Sequence, residues 1–461
     1  MSITNQIALC EKLCKQGQYD LALKKMQKYV RKNQNDEKGF LVAAIYAKLS
    51  KRNNLSDTYF KKALKINPLN PDILLNYGTF LSEINQLFKA EKIFENLYLN
   101  IKNSEIIFLK YSQILSTLGR VEKAISILEE ALQCFKENIQ FKYMLGILYL
   151  KKERYTLGWN YYHHRFNLLG DSLFSLGEIS LKEVTNFKMW NGESLNDKKI
   201  LIIPEQGYGD FIMCLRFVKY LKTKYKCSIT LLCHAPMEIL LRGSMIYDEL
   251  VVVDDAKRII KSKFDFWISI FDLPRLLHKG ENFLTSLTNT YQINKNGKYK
   301  HLFNDEEFNI GLVWKGSKNH DFDSFRSIHD TKKIIKLLKL ENFNFISLQH
   351  EISNDEFNPI KEYIQDASDC LNDFSDVAAI LKKVDMLITI DTSVAHLAGS
   401  MNIPTWLMIN EIGGDWRWGI KSGKSLWYPS IEILRVQDND WGNMIESVKV
   451  KLVETFNPKI K

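Results

Sequence analysis

Two rhythms of apolar and polar positions divide this 461-residue chain. Over about residues 3 to 165, small residues return every 34 positions, at Cys10, Ala44, Gly78, Ser112 and Gly146. A second series runs in step at Ala22, Ser56, Ala90, Ala124 and Gly158. Two such series, twelve residues apart, suit paired antiparallel helices whose backbones cross closely. From Lys198 the pattern changes to short apolar runs with helical stretches between them. KKILIIP reads as a buried strand, and SITLLC, ELVVVD and FDFWISI as further strands. Beyond a polar stretch at Asn294–Lys300 a second series begins: FNIGLVWKG, NFNFISLQ, DMLITI, TWLMI and IEILRV. The fold class expected is α + α/β, a helical solenoid followed by two Rossmann-like lobes with a cleft between them. The boundaries drawn are residues 1–165 for the array, 166–197 for a connector, 198–303 for the first lobe, and 304–461 for the second with its closing helix.

The period and its positions resemble tetratricopeptide repeats, about five units in all. The match is degenerate, because the consensus tryptophan and several terminal prolines are missing, although Pro68 in INPLNP closes the second unit. Repeats of this type present a concave surface to a protein or peptide, so the array is a candidate for recruiting a partner. In the last unit, paired histidines beside tyrosines (Tyr161-Tyr162-His163-His164-Arg165) invite a metal reading. Adjacent helical residues point about 100° apart, which favours a buried helix edge instead.

Composition narrows the class only a little. Apolar residues at 45% and charged residues at 25% are ordinary for a soluble protein. The formal charge of +9 suits nucleotide phosphates, anionic membrane or nucleic acid without choosing among them. Nucleic acid ranks last, since no interleaved aromatic–basic motif accompanies the charge. The seven cysteines are scattered and form no CxxC or zinc spacing, which points to a reducing compartment. No signal pattern opens the sequence and no apolar run reaches the length of a membrane span, so a cytoplasmic location without a transmembrane segment is expected.

Familiar nucleotide motifs fail on spacing. Gly207-x-Gly209 begins a dinucleotide fingerprint, but Ile212 stands where the third glycine belongs. Gly311-x4-Gly316 is followed by Ser317-Lys318, and Gly419 lies one residue too close to Gly423-Lys424-Ser425 for a P-loop. Asp321-x-Asp323 and Asp438-x-Asp440 are pairs of carboxylates better read as solvated loops, so no metal ligand is assigned. An anion site drawn from both lobes remains. In MLITIDTSVAHLAGSMNIPTW, the strand Met386–Ile390 ends in Asp391-Thr392-Ser393 at a helix start. Free amides, hydroxyls and the positive helix end meet there, a setting for a plain N-cap or for a phosphate. Gly207 and Gly209 permit close backbone approach. Asp210 opens a helix, where it either caps that helix or faces the cleft as a general base. Lys315 and Arg326 are cations near the second lobe's strand ends, and His396 sits one turn beyond Asp391.

Taken together, GWNYYHHRF, MWNGESL, EQGYGDFIMCLRFVKYL, FDLPRLL, IGLVWKGSKNHDFDSFRSI, SLQHE, DFSDVAAILKKVDMLITIDTSVAHLAG and DWRWG…WYP resemble the heptosyltransferase-like glycosyltransferase family nine, of GT-B fold. The similarity is closer to its bacterial members that carry an N-terminal repeat array. It implies an inverting, metal-independent transfer from a nucleotide-diphosphate sugar, used as co-substrate with no other cofactor, to a hydroxyl of a protein or glycan acceptor. It matches Asp210 to the catalytic base. It matches Arg326, Gln349, Asp391, Thr392, Ser393 and His396 to the donor side, and Gln206, Gly207, Gly209 and Lys315 are assigned to donor binding with them. The first lobe is short for the family, which shifts part of acceptor recognition toward the repeats. Gly413-Gly414 before DWRW suggest a lid. The competing reading is a repeat scaffold whose GT-B region is inactive and holds a nucleotide sugar or a partner protein.

Overall fold

The computed structural model describes residues 3–101, 103–174, 180–184, 186–205, 207–259, 262–278, 291, 293, 298–320, 322–436 and 440–456. Gln206, Asp321 and Asp438, named above, lie outside these residues. The chain forms two compact units, Met1–Phe141 and Lys142–Lys461.

The first unit is built of helix pairs: Ile3–Lys15 with Tyr19–Lys32, Glu37–Leu49 with Asn53–Ile66, Pro71–Glu83 with Leu87–Asn100, and Glu105–Thr117 with Val121–Cys134. The two small-residue series are buried where the paired helices cross, from Cys10 and Ala22 through Ala44, Ser56, Ala90, Ser112 and Ala124. Ser56 Oγ donates 2.9 Å to the Ala44 carbonyl, so members of the two series touch directly. A Cβ on Gly78 would lie 2.7 Å from the Phe94 ring, which explains why that crossing takes no side chain. The turn inside each pair holds one residue in the left-handed region: Gly17, Lys51, Asn85 and Gly119, again 34 apart.

The second unit begins with the next pair's residues. Glu153 continues the left-handed series at φ 62°, and the helix Tyr155–Tyr162 follows it. A Cβ on Gly146 would lie 2.4 Å from the Tyr162 amide nitrogen, so these helices also meet backbone to backbone.

Two sheets make up the α/β region. The first comprises β1 (Lys188–Met189), β2 (Lys199–Ile203), β3 (Ser228–Cys233), β4 (Glu249–Val252) and β5 (Phe266–Ser269), all parallel in the order β1-β5-β2-β3-β4. The second comprises β6 (Phe308–Val313), β7 (Phe343–Ser347), β8 (Gln365–Asp366), β9 (Met386–Ile390), β10 (Thr405–Asn410), β11 (Gly423–Lys424) and β12 (Ile431–Val436). Its order is β11-β12-β10-β9-β6-β7-β8, parallel except for the β11–β12 pair. This is the expected class: a helical repeat array followed by an α/β region with two Rossmann-like, largely parallel sheets.

The strands are apolar on both faces because both faces are covered. Ile200 and Ile202 look into a core that also holds Phe211, Met213 and Phe217. Leu201 and Ile203 look the other way, toward Val251 and Trp267. The former core continues through Val313, Ile346, Leu387 and Leu407 of the second sheet, so the facing sides of the two sheets share one apolar interior. The second sheet's outer face packs on the closing helix Trp441–Thr455 through Ile445, Val448 and Leu452.

Strand order fixes where chemistry can sit. In the first sheet the chain leaves β2 toward β3 and β4 and returns to β5 on the opposite side. In the second it leaves β6 toward β7 and β8 and returns to β9. Each reversal opens a crevice at the carboxyl ends of the two diverging strands, where ligands of such sheets bind. The segments after β2, β5, β6 and β9 carry nearly all the candidate residues.

Candidate functional site

At the first crevice, Gly207 has φ 96° and starts the helix Tyr208–Lys224. Asp210 lies in that helix's first turn, with its side chain 24% exposed. Its carboxylate is ion-paired to Arg417, Nε to Oδ1 at 2.6 Å. Burial pushes the Asp210 carboxyl up to about 7, with Arg417 opposing that rise. Arg417 also binds Asp415, Nη1 reaching Oδ1 at 2.7 Å and Oδ2 at 2.8 Å, and lies over the Trp416 ring at 4.5 Å.

The loop carrying Arg417 is firmly anchored, although its glycines suggested a lid. Trp416 and Trp418 are buried, and Lys151 Nζ donates 2.6 Å to the Gly414 carbonyl. Burial lowers Lys151 to about 8, with Asp415 opposing that fall. Gly413 takes the left-handed conformation at φ 69° that the turn requires.

At the second crevice, Thr392 occupies the N-cap position of the helix Ser393–Ser400 in extended backbone, and its side chain makes no capping hydrogen bond. The hydroxyl of Thr392 lies 3.5 Å from that of Thr389. Arg326 Nη1 donates 3.3 Å to the Asp391 carbonyl and Nη2 donates 3.3 Å to that of Ser317. Gly316 makes this possible, because a Cβ there would lie 2.4 Å from Nη2. Burial raises Asp391 above the usual carboxylate range, Asp415 adds to the rise, and Arg326 and Arg417 oppose it. Asp210, Asp391, Asp415, Arg326 and Arg417 therefore form one electrostatically linked group drawn from both crevices.

Other candidates have different partners. His396 is buried, with Nδ1 3.0 Å from the Tyr428 hydroxyl and its ring 4.7 Å from that of Trp418. Burial, reinforced by Arg417, lowers it to about 3, so the ring is neutral. Gly209 lies against it, since a Cβ there would be 2.7 Å from His396 Cδ2. The close approach that Gly209 permits is thus to a histidine of the second lobe. Gln349 spends its amide on the chain: Lys315 N donates to Oε1 at 3.1 Å and Nε2 donates to the Lys315 carbonyl at 3.0 Å. Lys315 Nζ is buried and hydrogen-bonded to Glu356, whose carboxyl it holds down at about 2. These two residues clasp the ends of β6 and β7. Beside them a polar cavity of about 420 Å³ is lined by Lys318, His350, Glu351, Ser353, Ser368 and Asp369, at the carboxyl ends of β6, β7 and β8.

A buried charge network stands behind the first crevice. Arg165 is fully buried and holds Glu205 with two bonds, Nε to Oε2 at 3.0 Å and Nη2 to Oε1 at 2.5 Å. Ser269 Oγ donates to the same carboxylate. Arg165 Nη1 also reaches Asp272 at 3.3 Å, where His163 Nδ1 lies at 3.0 Å and Arg275 Nε at 2.9 Å. The buried helix edge expected at His163 to Arg165 is thus a charge network, and neither it nor the ion pair of Arg417 follows from the sequence pattern. One signal was available: each arginine is embedded among aromatic residues (HHRF, DWRWG), and a cation so placed is stacked and paired when buried. Among the described residues no group of three or more His, Cys, Asp or Glu is arranged to hold a metal ion, and no helix is long and apolar enough to cross a membrane.

The Tetratricopeptide repeat family matches residues 59–92. Protein FlbA of Caulobacter vibrioides is 22% identical over 349 residues, covering 68% of this chain and 55% of that protein. The chain thus spans little more than half the length of that relative. Among solved structures, a glycosyl transferase family 9 protein from Veillonella parvula has 14% identity and a TM-score of 0.45, with 59% of this chain and 100% of that one covered. MamA from Desulfovibrio magneticus RS-1 has 17% identity and a TM-score of 0.32, with 36% of this chain and 92% of that one covered. The chain is similar in part to tetratricopeptide-repeat proteins and in part to a family-nine glycosyltransferase.

Proposed function

We propose that the second unit is an inverting glycosyltransferase that moves a sugar from a nucleotide-diphosphate donor to an acceptor hydroxyl. The observation that carries this reading is the grouping of Asp210 with Arg326, Arg417 and the Asp391–Ser393 turn, at two strand-order reversals that belong to different sheets. Asp210 takes the proton of the acceptor hydroxyl as its oxygen attacks the anomeric carbon, and the bond from that carbon to the diphosphate breaks. Arg326, Arg417 and the amides of the Thr392–Ser393 turn meet the charge that gathers on the departing diphosphate, so the reaction needs no metal. The cavity beside Gln349 takes the nucleoside. The repeats supply a surface for a protein or glycan acceptor.

A thermal-shift panel of nucleoside diphosphates and nucleotide sugars tests the reading. One nucleotide class at about 100 times its Kd should stabilise the protein by about 2.7 kcal/mol, and its sugar should then be released slowly as hydrolysis product. A flat panel would point to the scaffold reading. Gly316→Ala should separate anion binding from folding. Its added carbon meets the far end of the Arg326 side chain, which must move. Stability should change by less than about 1 kcal/mol, while calorimetric affinity for the nucleoside diphosphate falls about tenfold.

A further inference from the structure

The excess positive charge sits at one end of the repeat array. Residues 1–66 hold 14 lysines and arginines against 5 aspartates and glutamates, while the other 395 residues hold 49 of each. The first two helix pairs thus carry the whole formal charge of +9. On the helix Tyr19–Lys32, the residues Lys24, Lys28 and Arg31 follow at i, i+4 and i+7, opposite the buried Ala22, Leu23, Met26 and Val30. Lys62 and Lys65 stand at the positions of Lys28 and Arg31 one repeat later, on Asn53–Ile66, and all five cations are exposed. The strip ends there, since the same positions hold Asn96 and Leu99 in the third pair and Glu130 and Gln133 in the fourth. The two carboxylates of these helices are already engaged, Asp20 by Arg52 at 2.9 Å and Asp57 by Lys61 at 2.6 Å. Among the described residues Lys24, Lys28, Arg31 and Lys65 have no ion-pair partner.

We propose that the outer face of the first two repeats docks on an anionic membrane surface. Three features favour lipid over an acidic protein. The first helices of successive pairs touch one another, and the second helices, which bear the strip, lie outside them. The strip therefore faces away from the concave side with which such repeats hold their partners. Four of its five cations are lysine, the residue that protein interfaces deplete while enriching arginine and aromatic residues. Apolar side chains stand exposed beside the cations: Leu21 one turn before Lys24, Ile66 next to Lys65, and Leu69 at 77% exposure in the turn that follows. Cations flanked by such side chains suit the headgroup layer, where the apolar groups enter and the charges stay at the surface. Each lysine or arginine near an anionic leaflet strengthens binding about fivefold, and the attraction reaches about 10 Å at 0.1 M salt. This docking is independent of the transferase reading.

The test is co-sedimentation of the full chain with phosphatidylcholine vesicles, with and without about 30% phosphatidylglycerol, at about 0.1 M and about 1 M salt. Binding should be about tenfold or more stronger to the anionic vesicles at the lower salt and disappear at the higher. The variant Lys24→Glu/Lys28→Glu/Lys65→Glu, on exposed positions, should melt as the parent does and lose about a hundredfold of that affinity. Changing the same three residues to glutamine should lose less and leaves the test intact where charge reversal impairs folding. No preference for anionic vesicles, a preference that survives the higher salt, or folded variants that bind as the parent does would each overturn the proposal. Binding of polyglutamate or duplex DNA with none to the vesicles would assign the strip to another class of partner and overturn it as well. Nucleoside diphosphate affinity should be equal in parent and variants, so a failure of docking and a failure of the transferase reading are told apart.

Discussion

Asp210→Asn should lower turnover by about 10²–10⁴-fold, the range a positioned general base contributes. The amide has nearly the shape of the carboxylate and still offers Arg417 an oxygen, but it cannot take a proton from the acceptor hydroxyl. Nucleoside diphosphate affinity should stay within about twofold, because the amide oxygen keeps Arg417 in place and Arg326 and the Thr392–Ser393 turn are untouched. The pH dependence follows from the environment of the group. Burial raises the Asp210 carboxyl to about 7 despite the Arg417 ion pair. The base works only when ionised, so kcat/KM in the parent should climb as pH rises through about 7 and level off above it. In the variant the acid limb near that pH should disappear from whatever activity remains. Full turnover with an unchanged limb would take Asp210 out of the mechanism.

Arg165→Met should be the most damaging single change to stability, costing about 3–5 kcal/mol in equilibrium urea denaturation. Methionine replaces much of the stem but none of the charge, leaving the Glu205 carboxylate without its two guanidinium bonds and Asp272 with one partner fewer. Pairing it with Glu205→Gln should recover part of the loss, because that removes the stranded charge. Acidification reads the same network from the other side. Burial opposes ionisation of Asp272, but the hydrogen bond with His163 and the charges of Arg165 and Arg275 outweigh it and hold the carboxyl at about 2. A depressed carboxylate gives its full stabilisation above the ordinary unfolded value of about 4 and loses it as pH falls. The parent should therefore lose stability between about pH 4 and 2, and the variant should lose less of it. A cost below about 1 kcal/mol would mean that the arginine is dispensable to the fold.

How far such features can be read from sequence depends on whether their cause is local. The runs at β2 to β7, β9 and β10 are legible because a strand covered on both faces is mostly apolar, and β12 because Ile431 and Ile433 alternate with the less buried Glu432 and Leu434. β1, β8 and β11, two residues each, have no period to detect. β1 in particular falls in the stretch read as a connector, and it is strand only because β5 lies beside it. At the site, the turns at Gly207 and Asp391–Ser393 are written in small and hydroxylated residues. The partner of a charge is not, since it is chosen by strand order. Lys315 and Gln349 have the right types for a donor site and are occupied by Glu356 and by each other's strand end. Arg417 stands in the resembling segment DWRWG without an assigned role, yet it joins Asp210 to the second lobe.

The left-handed turns of the helix pairs bear on how such a chain can be recognised at all. Gly17 and Gly119 suit that conformation, Asn85 tolerates it, and Lys51 and Glu153 adopt it against a cost of roughly 1–2 kcal/mol each. The spacing is therefore enforced by how the helices stack, while residue identity at the turn is free to wander. A comparison of letters registers only those units whose letters have stayed near the common pattern, and the matched residues 59–92 amount to a single period. Torsion angles count five. For repeat proteins as worn as this one, a backbone dihedral recurring at constant separation is a more durable signature than any amino acid.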